Sequence, residues 1–134
     1  MTIVALSGGF DPIHIGHIRM IQEATKYGDV FVILNSDDWL LRKKGYVFMP
    51  WIDRCEILKA IDGVKKVVAG GDIDDTVCHA LRILKPDYFA NGGDRIETNT
   101  PEKQLCEDLG IKMLWGIGGE KIQSSSEIVA NARR

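Results

Sequence analysis

Short apolar runs alternate along this chain with longer segments whose apolar positions recur at helical spacing. Runs of this kind are typical of parallel strands that are buried on both faces of a sheet. Five strands are predicted, at residues 3–6, 29–35, 64–69, 87–90 and 111–115. Helices are predicted at 17–27, 50–61, 76–84 and 100–109, with a last one beginning near 124. This alternation indicates an α/β domain of three layers around a five-stranded parallel sheet.

The polar segment that follows the second strand is predicted to be a loop reaching to about residue 50. It carries a basic cluster that includes Lys43 and Lys44. A cluster of this kind is usually solvated surface. In an α/β sheet, however, a loop after a strand lies at the carboxyl edge, where ligands bind. From the residues alone both interpretations stay open.

The first strand runs into a glycine pair, Gly8 and Gly9, and two of the three histidines of the chain follow it, His14 and His17. Glycine lets the backbone approach a ligand closely, and the N–H groups at a helix start favour phosphate. On a helical projection His17 falls on the apolar stripe and points toward the sheet. A lone histidine there would be read as a hydrogen-bonded core residue. Two of them directly after a glycine turn favour a phosphate-handling pair instead.

Size and composition set limits on the class of protein. With 134 residues, 45% of them hydrophobic and 27% charged, residues 1–134 are predicted to form one domain. The net charge of −2 gives no reason to expect a nucleic-acid or membrane partner. No apolar run is long enough for a transmembrane helix, and no basic segment precedes the first strand as in a signal peptide. The three cysteines lack metal-like spacing, which predicts a reducing, cytoplasmic setting.

Arg54 falls on the apolar face of the predicted helix 50–61. An unpaired buried guanidinium is costly, so an anion is expected beside it. One candidate is an Asp or Glu side chain in a structural ion pair. The other is a phosphate group of a substrate, whose oxygens match the planar fork of arginine.

Residues 8–17, Gly8-Gly9-Phe10-Asp11-Pro12-Ile13-His14-Ile15-Gly16-His17, resemble the G-x-F-D-x-x-H-x-G-H signature of the cytidylyltransferase-like nucleotidyltransferases. That family includes glycerol-3-phosphate cytidylyltransferase, the adenylyltransferase domain of ADP-heptose synthase and archaeal FAD synthetase. The resemblance implies a Rossmann-like sheet with strand order 3-2-1-4-5. It also implies transfer of a nucleotidyl group from an NTP to a phosphorylated small alcohol or sugar, with release of pyrophosphate. Family members of this length are often homodimers, so a homodimer is expected.

The resemblance also implies roles for individual residues. His14 and His17 would donate hydrogen bonds to phosphate oxygens, and an arginine at a similar helix position in the family favours the phosphate role for Arg54. The nucleotide would lie against the opening turn, and Lys43 or Lys44, with Lys121, would neutralise its phosphates. The remaining implied contacts to the nucleotide are Gly8, Gly9, Phe10, Asp11, Ser124, Ser125 and Ser126. Mg²⁺ bridging the phosphates is expected from the chemistry, and Asp11 either touches it or caps the turn.

A second glycine pair follows the fourth predicted strand, in Gly92-Gly93-Asp94. It is either a tight turn capped by Asp94 or, by resemblance, part of the nucleotide pocket. This form resembles ADP-heptose synthase-like members, and Lys121 stands where glycerol-phosphate enzymes have an arginine. Motif and size favour CTP, but these departures leave ATP open. Gly9, where many relatives have Thr or Ser, removes one possible hydroxyl contact.

Two other functions are weighed against the transferase. A nucleotide-binding module without turnover would need the same glycine turns and helix starts, but not both histidines. A dinucleotide-dependent oxidoreductase is disfavoured because residues 8–12 do not form G-x-G-x-x-G.

Overall fold

A computed structural model describes residues 1–70, 76–92, 100–119 and 125–132, without the side chains of 125–127. The strands are β1 Ile3–Gly8, β2 Asp29–Leu34, β3 Val64–Ala69, β4 Tyr88–Ala90 and β5 Lys112–Leu114. The helices are α1 Ile15–Ala24, α2 Asp37–Lys44, α3 Trp51–Lys59, α4 Cys78–Leu84, α5 Lys103–Leu109 and α6 Ser125–Ala132. None of the helices in these ranges is both long and apolar enough to cross a membrane.

The sheet is parallel and has the order β3-β2-β1-β4-β5, which confirms the predicted order. From the central strand β1 the chain first builds β2 and β3 on one side and then β4 and β5 on the other. The direction of winding therefore reverses beside β1. Open α/β sheets bind ligands at this switch point, outside the carboxyl ends of the strands.

Side chains of β1 alternate between two buried clusters, as a strand covered on both faces requires. Val4 and Leu6 pack with α1 and α3, whereas Ala5 packs with α4 and α5. The three predicted layers are thus present, and the carboxyl edge of the sheet carries the connections that matter for function.

The segment 36–50, predicted to be a loop, contains the helix α2. Ser36 caps α2, since its Oγ accepts a hydrogen bond from the backbone N–H of Trp39 at 3.0 Å. Acidic residues fill the first turn and basic residues the last, and Gly45 ends the helix at φ 81°. Only Leu40 is buried, so the helix has no apolar stripe to reveal it.

Candidate active site

The turn between β1 and α1 folds back onto the histidines. Phe10 has φ 51° and is buried, and its ring lies against the imidazole of His17 with centroids 4.6 Å apart. Helix α1 begins at Ile15 with His14 as its N-cap, two residues before the predicted start. The two histidines therefore occupy the cap and the third position of the first turn.

Each histidine caps a backbone N–H of this turn through Nδ1. The Gly16 N–H donates to Nδ1 of His14, and the His14 N–H donates to Nδ1 of His17, both at 3.1 Å. The arrangement is a capping box built from two imidazoles. Because Nδ1 accepts in both rings, each neutral ring carries its proton on Nε2 and is a donor there. Both side chains are half-buried rather than sealed in the core.

The glycines of the turn are needed for close packing. A Cβ on Gly16 would stand 2.9 Å from Cε1 of His14, so a side chain there would push the capping ring away. A Cβ on Gly9 would stand 2.9 Å from Cδ2 of Leu40 and 3.4 Å from the Trp39 ring. Helix α2 thus covers the glycine turn, and a side chain at position 9 would require the Leu40 side chain to move.

Asp11 is fully buried and binds the connection between α2 and α3. Its Oδ2 accepts from the Phe48 N–H at 2.7 Å, and its Oδ1 accepts from the Met49 N–H at 2.6 Å. Of the two roles predicted for Asp11, a turn-holding contact describes this geometry. The turn it holds, however, lies 37 positions along the chain rather than beside it.

Arg54 is fully buried, and its partners belong to the protein. Its Nη2 donates to Asp37 Oδ1 at 2.6 Å, and its Nη1 donates to the carbonyls of Gly9 at 2.7 Å and Asn35 at 2.8 Å. Its Nε donates to the Met49 carbonyl at 2.9 Å. The Asp37 carboxylate is therefore the anion beside the guanidinium in this structure, which is the structural ion pair of the two alternatives, and a phosphate contact stays a prediction. The guanidinium lies behind the glycine turn and fixes its backbone.

The two lysines lie on the last turn of α2, the helix that follows β2. Lys43 is exposed and Lys44 is half-buried. Their backbone is helical, whereas a loop was predicted. The cap at Ser36 fixes where this helix begins and therefore on which turn the two lysines lie. Both remain candidates for phosphate contacts.

Comparison with known proteins agrees with the motif and the fold. The family model described as cytidylyltransferase-like matches residues 5–130. The chain belongs to the cytidylyltransferase-like family of nucleotidyltransferases.

Relatives of this cytidylyltransferase-like chain differ in length. The bifunctional protein HldE of Geobacter metallireducens is 38% identical over 112 residues, which make up 81% of this chain and 22% of that protein. The FAD synthase of Archaeoglobus profundus is 34% identical over 109 residues, 81% of this chain and 67% of that protein. The chain thus spans about a fifth of the length of HldE.

A solved structure supports the fold. The lipopolysaccharide core biosynthesis protein from Thermoplasma volcanium superposes with a TM-score of 0.73 at 23% identity, covering 90% of this chain and 99% of that one. At this identity the likeness concerns the fold alone.

The structure describes only some of the other residues that are predicted to contact the nucleotide in this cytidylyltransferase-like chain. Gly92 follows β4 at the carboxyl edge, while Gly93, Asp94, Lys121 and Ser124 lie outside the described residues. Helix α6 begins at Ser125 and includes Ser126. The backbone of both residues therefore lies in the first turn of a helix that follows the last glycines. A Cβ on Gly118 would stand 3.0 Å from Cα of Met20, so the turn after β5 packs on the histidine helix.

Proposed function

We propose that this chain transfers a nucleotidyl group from an NTP, with CTP favoured, to a phosphorylated small alcohol or sugar and releases pyrophosphate. The observation that carries the proposal is the double cap at the start of α1. Both Nδ1 atoms bind backbone N–H groups, so His14 and His17 hold their Nε2–H donors in fixed positions at the phosphate-binding end of the helix.

In the proposed reaction an oxygen of the acceptor phosphate attacks the α-phosphorus in line. The bond from the α-phosphorus to the bridging oxygen breaks, and that oxygen leaves with the pyrophosphate. The nucleophile is already an anion, so it needs no strong base. Catalysis then consists of positioning and of stabilising charge that moves onto the leaving group. Donors that are fixed beforehand, as the capped imidazoles are, lose little free energy in reorganising at that moment.

The other proposed contacts add charge and backbone donors. Lys43 or Lys44 and Lys121 would neutralise the triphosphate, and the segment Ser124–Ser126 would hold its outer phosphates. Arg54 contributes indirectly, because it fixes the Gly9 carbonyl from behind. Asp11 also acts indirectly, since it holds the α2–α3 connection.

Magnesium would enter with the nucleotide. Among residues 1–70, 76–92, 100–119 and 125–132 no group of three His, Cys, Asp or Glu side chains is placed to hold a metal ion. Both Asp11 oxygens already accept backbone N–H groups. The described residues therefore do not fit a resident metal site, and Mg²⁺ bridging the phosphates would belong to the substrate complex.

A second candidate is adenylyl transfer from ATP to a sugar phosphate. It is favoured by the likeness to a protein named FAD synthase, because FAD contains an adenylyl group, and by Gly92-Gly93-Asp94. A nucleotide-binding module without turnover remains the non-enzymatic alternative. We propose a homodimer in the cytoplasm for either enzyme.

A pyrophosphate-release screen tests these functions. Four NTPs are incubated with Mg²⁺ and a panel of phospho-alcohols and phospho-sugars. Release with CTP and one acceptor supports the first candidate, and release with ATP supports the second. If no pair releases pyrophosphate while nucleotide binding is measurable, the binding module is the better description.

A further inference from the structure

Asn91 carries a buried acceptor atom to which the protein gives no partner. The side chain is 3% exposed, and its Oδ1 is one of two buried side-chain polar atoms without a hydrogen bond among the residues described, the other being Nε1 of Trp39. Native proteins keep few such groups because a buried unpaired acceptor is costly. A partner from outside the chain is therefore expected.

The amide of Asn91 cannot turn over to avoid this. Its Nδ2 donates to the carbonyl of Phe89 at 3.3 Å and to the carbonyl of Leu114 at 3.1 Å. Flipping the amide would place Oδ1 against two carbonyl oxygens. The side chain is thus locked as an acceptor, and only a group that donates a hydrogen bond can satisfy it.

Asn91 lies at the switch point of the sheet. It follows β4 directly, and extending the register of Ala5 with Phe89 places it level with Ser7, one residue before the end of β1. Its backbone is held on both sides, since its N–H donates to Leu114 at 2.8 Å and its carbonyl accepts from Ile117 at 3.0 Å. The turn that contains Ile117 packs on α1, so the position of the amide is tied to that of the histidine helix.

We infer that Asn91 Oδ1 reads the nucleobase, by accepting a hydrogen bond from an exocyclic amino group at N4 of cytosine or N6 of adenine. The inference rests on the proposed function. Phosphate oxygens are acceptors, so they cannot form a hydrogen bond with Oδ1. We therefore place the phosphates beside the histidine pair and the nucleoside at the end of β4. A base with a keto group at the same position presents a second acceptor. CTP should therefore bind better than UTP, and ATP better than its 6-oxo analogue ITP, each by roughly tenfold or more.

Two substitutions separate the acceptor from the donors that hold the strand end. Asn91→Asp keeps an acceptor but loses the hydrogen bonds to Phe89 and Leu114. Asn91→Val loses both. We expect the Asp variant to keep the preference for amino bases and the Val variant to bring each ratio of dissociation constants close to one.

The test is calorimetric binding of CTP, 2′-deoxy-CTP, UTP, ATP and ITP to the full chain with Mg²⁺, which needs no turnover. A preference confined to CTP over UTP identifies cytosine as the base, and one confined to ATP over ITP identifies adenine. Equal binding within both pairs by the wild type overturns the inference, as does an unchanged ratio in Asn91→Val. So does a change only in the ratio of CTP to 2′-deoxy-CTP, which would assign the acceptor to a ribose hydroxyl. If the wild type binds no NTP, the proposed function itself fails.

Discussion

The imidazole rings of His14 and His17 stack with their centroids 3.9 Å apart and their planes 27° apart. Each ring also binds a backbone N–H of the first helical turn through Nδ1. The same side chains therefore stabilise the start of α1 and supply the donors proposed for the reaction. Loss of activity and loss of helix stability would coincide in a simple alanine scan, and substitutions have to be chosen that separate them.

Replacing His14 with Asn should separate the two roles. Asn is among the best N-cap residues, so the helix start should keep most of its stability. The Nε2 donor is lost, and removal of one transition-state donor costs roughly 10²–10³ in rate. His14→Ala should lose the same activity and in addition about 0.5–2 kcal/mol of unfolding free energy. Pyrophosphate release and urea denaturation measure the two effects.

His79→Ala is the matched control, because this third histidine lies on α4, away from the glycine turn. It should keep full turnover.

For His17→Ala, most turnover should be lost while NTP binding stays within about an order of magnitude. Equal activity of His14→Asn and the wild type would remove the imidazoles from the mechanism.

Gly16→Ala should lower turnover although alanine is the better helix former. The added Cβ would stand 2.9 Å from Cε1 and 3.1 Å from Nδ1 of His14, so the ring must turn out of its cap. Alanine in a helix otherwise gains about 1 kcal/mol over glycine. We expect turnover to fall at least tenfold, with unfolding free energy changing by less than about 1 kcal/mol. Arg19→Ala, an exposed position of the same helix, should leave both quantities unchanged.

Arg54→Ala should lower the free energy of unfolding more than any substitution of a surface residue on α3. It leaves the Asp37 carboxylate unpaired and removes the hydrogen bonds to three backbone carbonyls. Breaking a buried ion pair costs about 3–5 kcal/mol, and since the Asp37 side chain is 42% exposed the lower end is expected. Arg54→Lys should recover little, because one ammonium cannot reach the same acceptors as the fork. Chemical denaturation measures this, with exposed Lys59→Ala as the control. A loss below about 1 kcal/mol would contradict the structural role.

The sequence was sufficient for the sheet because each strand is a short apolar run between turn residues. It also placed Arg54 on the buried face of its helix. It could not identify the partner, since Asp37 lies 17 positions earlier and is brought close only by tertiary packing. The spacing of His14 and His17 pointed to a shared first turn, but which ring nitrogen is occupied depends on backbone geometry that no spacing encodes.

Helix α2 was missed for a different reason. Prediction from periodicity depends on an apolar stripe, and α2 buries only Leu40. Its signals are Ser36 three residues before Trp39, acidic residues at one end, basic residues at the other and Gly45 after the last turn. A prediction from capping residues and end charges, made before the search for an apolar stripe, would have found this helix, which covers Gly9.

Cys106 should make the stability of the domain depend on alkaline pH. Burial, and then the nearby Glu102 and Cys78, raise the pKa of this thiol from 9.0 to about 11. Between these values the unfolded chain releases the thiol proton while the folded chain keeps it. The contribution of this thiol to the free energy of unfolding is therefore fully present below pH 9. It is lost as the pH rises toward 11, by up to about 1.4 kcal/mol per pH unit.

Denaturation of the wild type and of Cys106→Ala at intervals from pH 7.5 to 11, under reducing conditions, isolates this contribution. The alanine variant loses packing at every pH, so the informative quantity is the difference in unfolding free energy between the two proteins. That difference should shrink as the pH rises above 9. Ile111→Val is the control, because Ile111 packs in the same cluster and carries no titrating proton, so its difference from the wild type should be constant. A constant difference for Cys106→Ala as well would mean that the thiol titrates alike in the folded and unfolded chain.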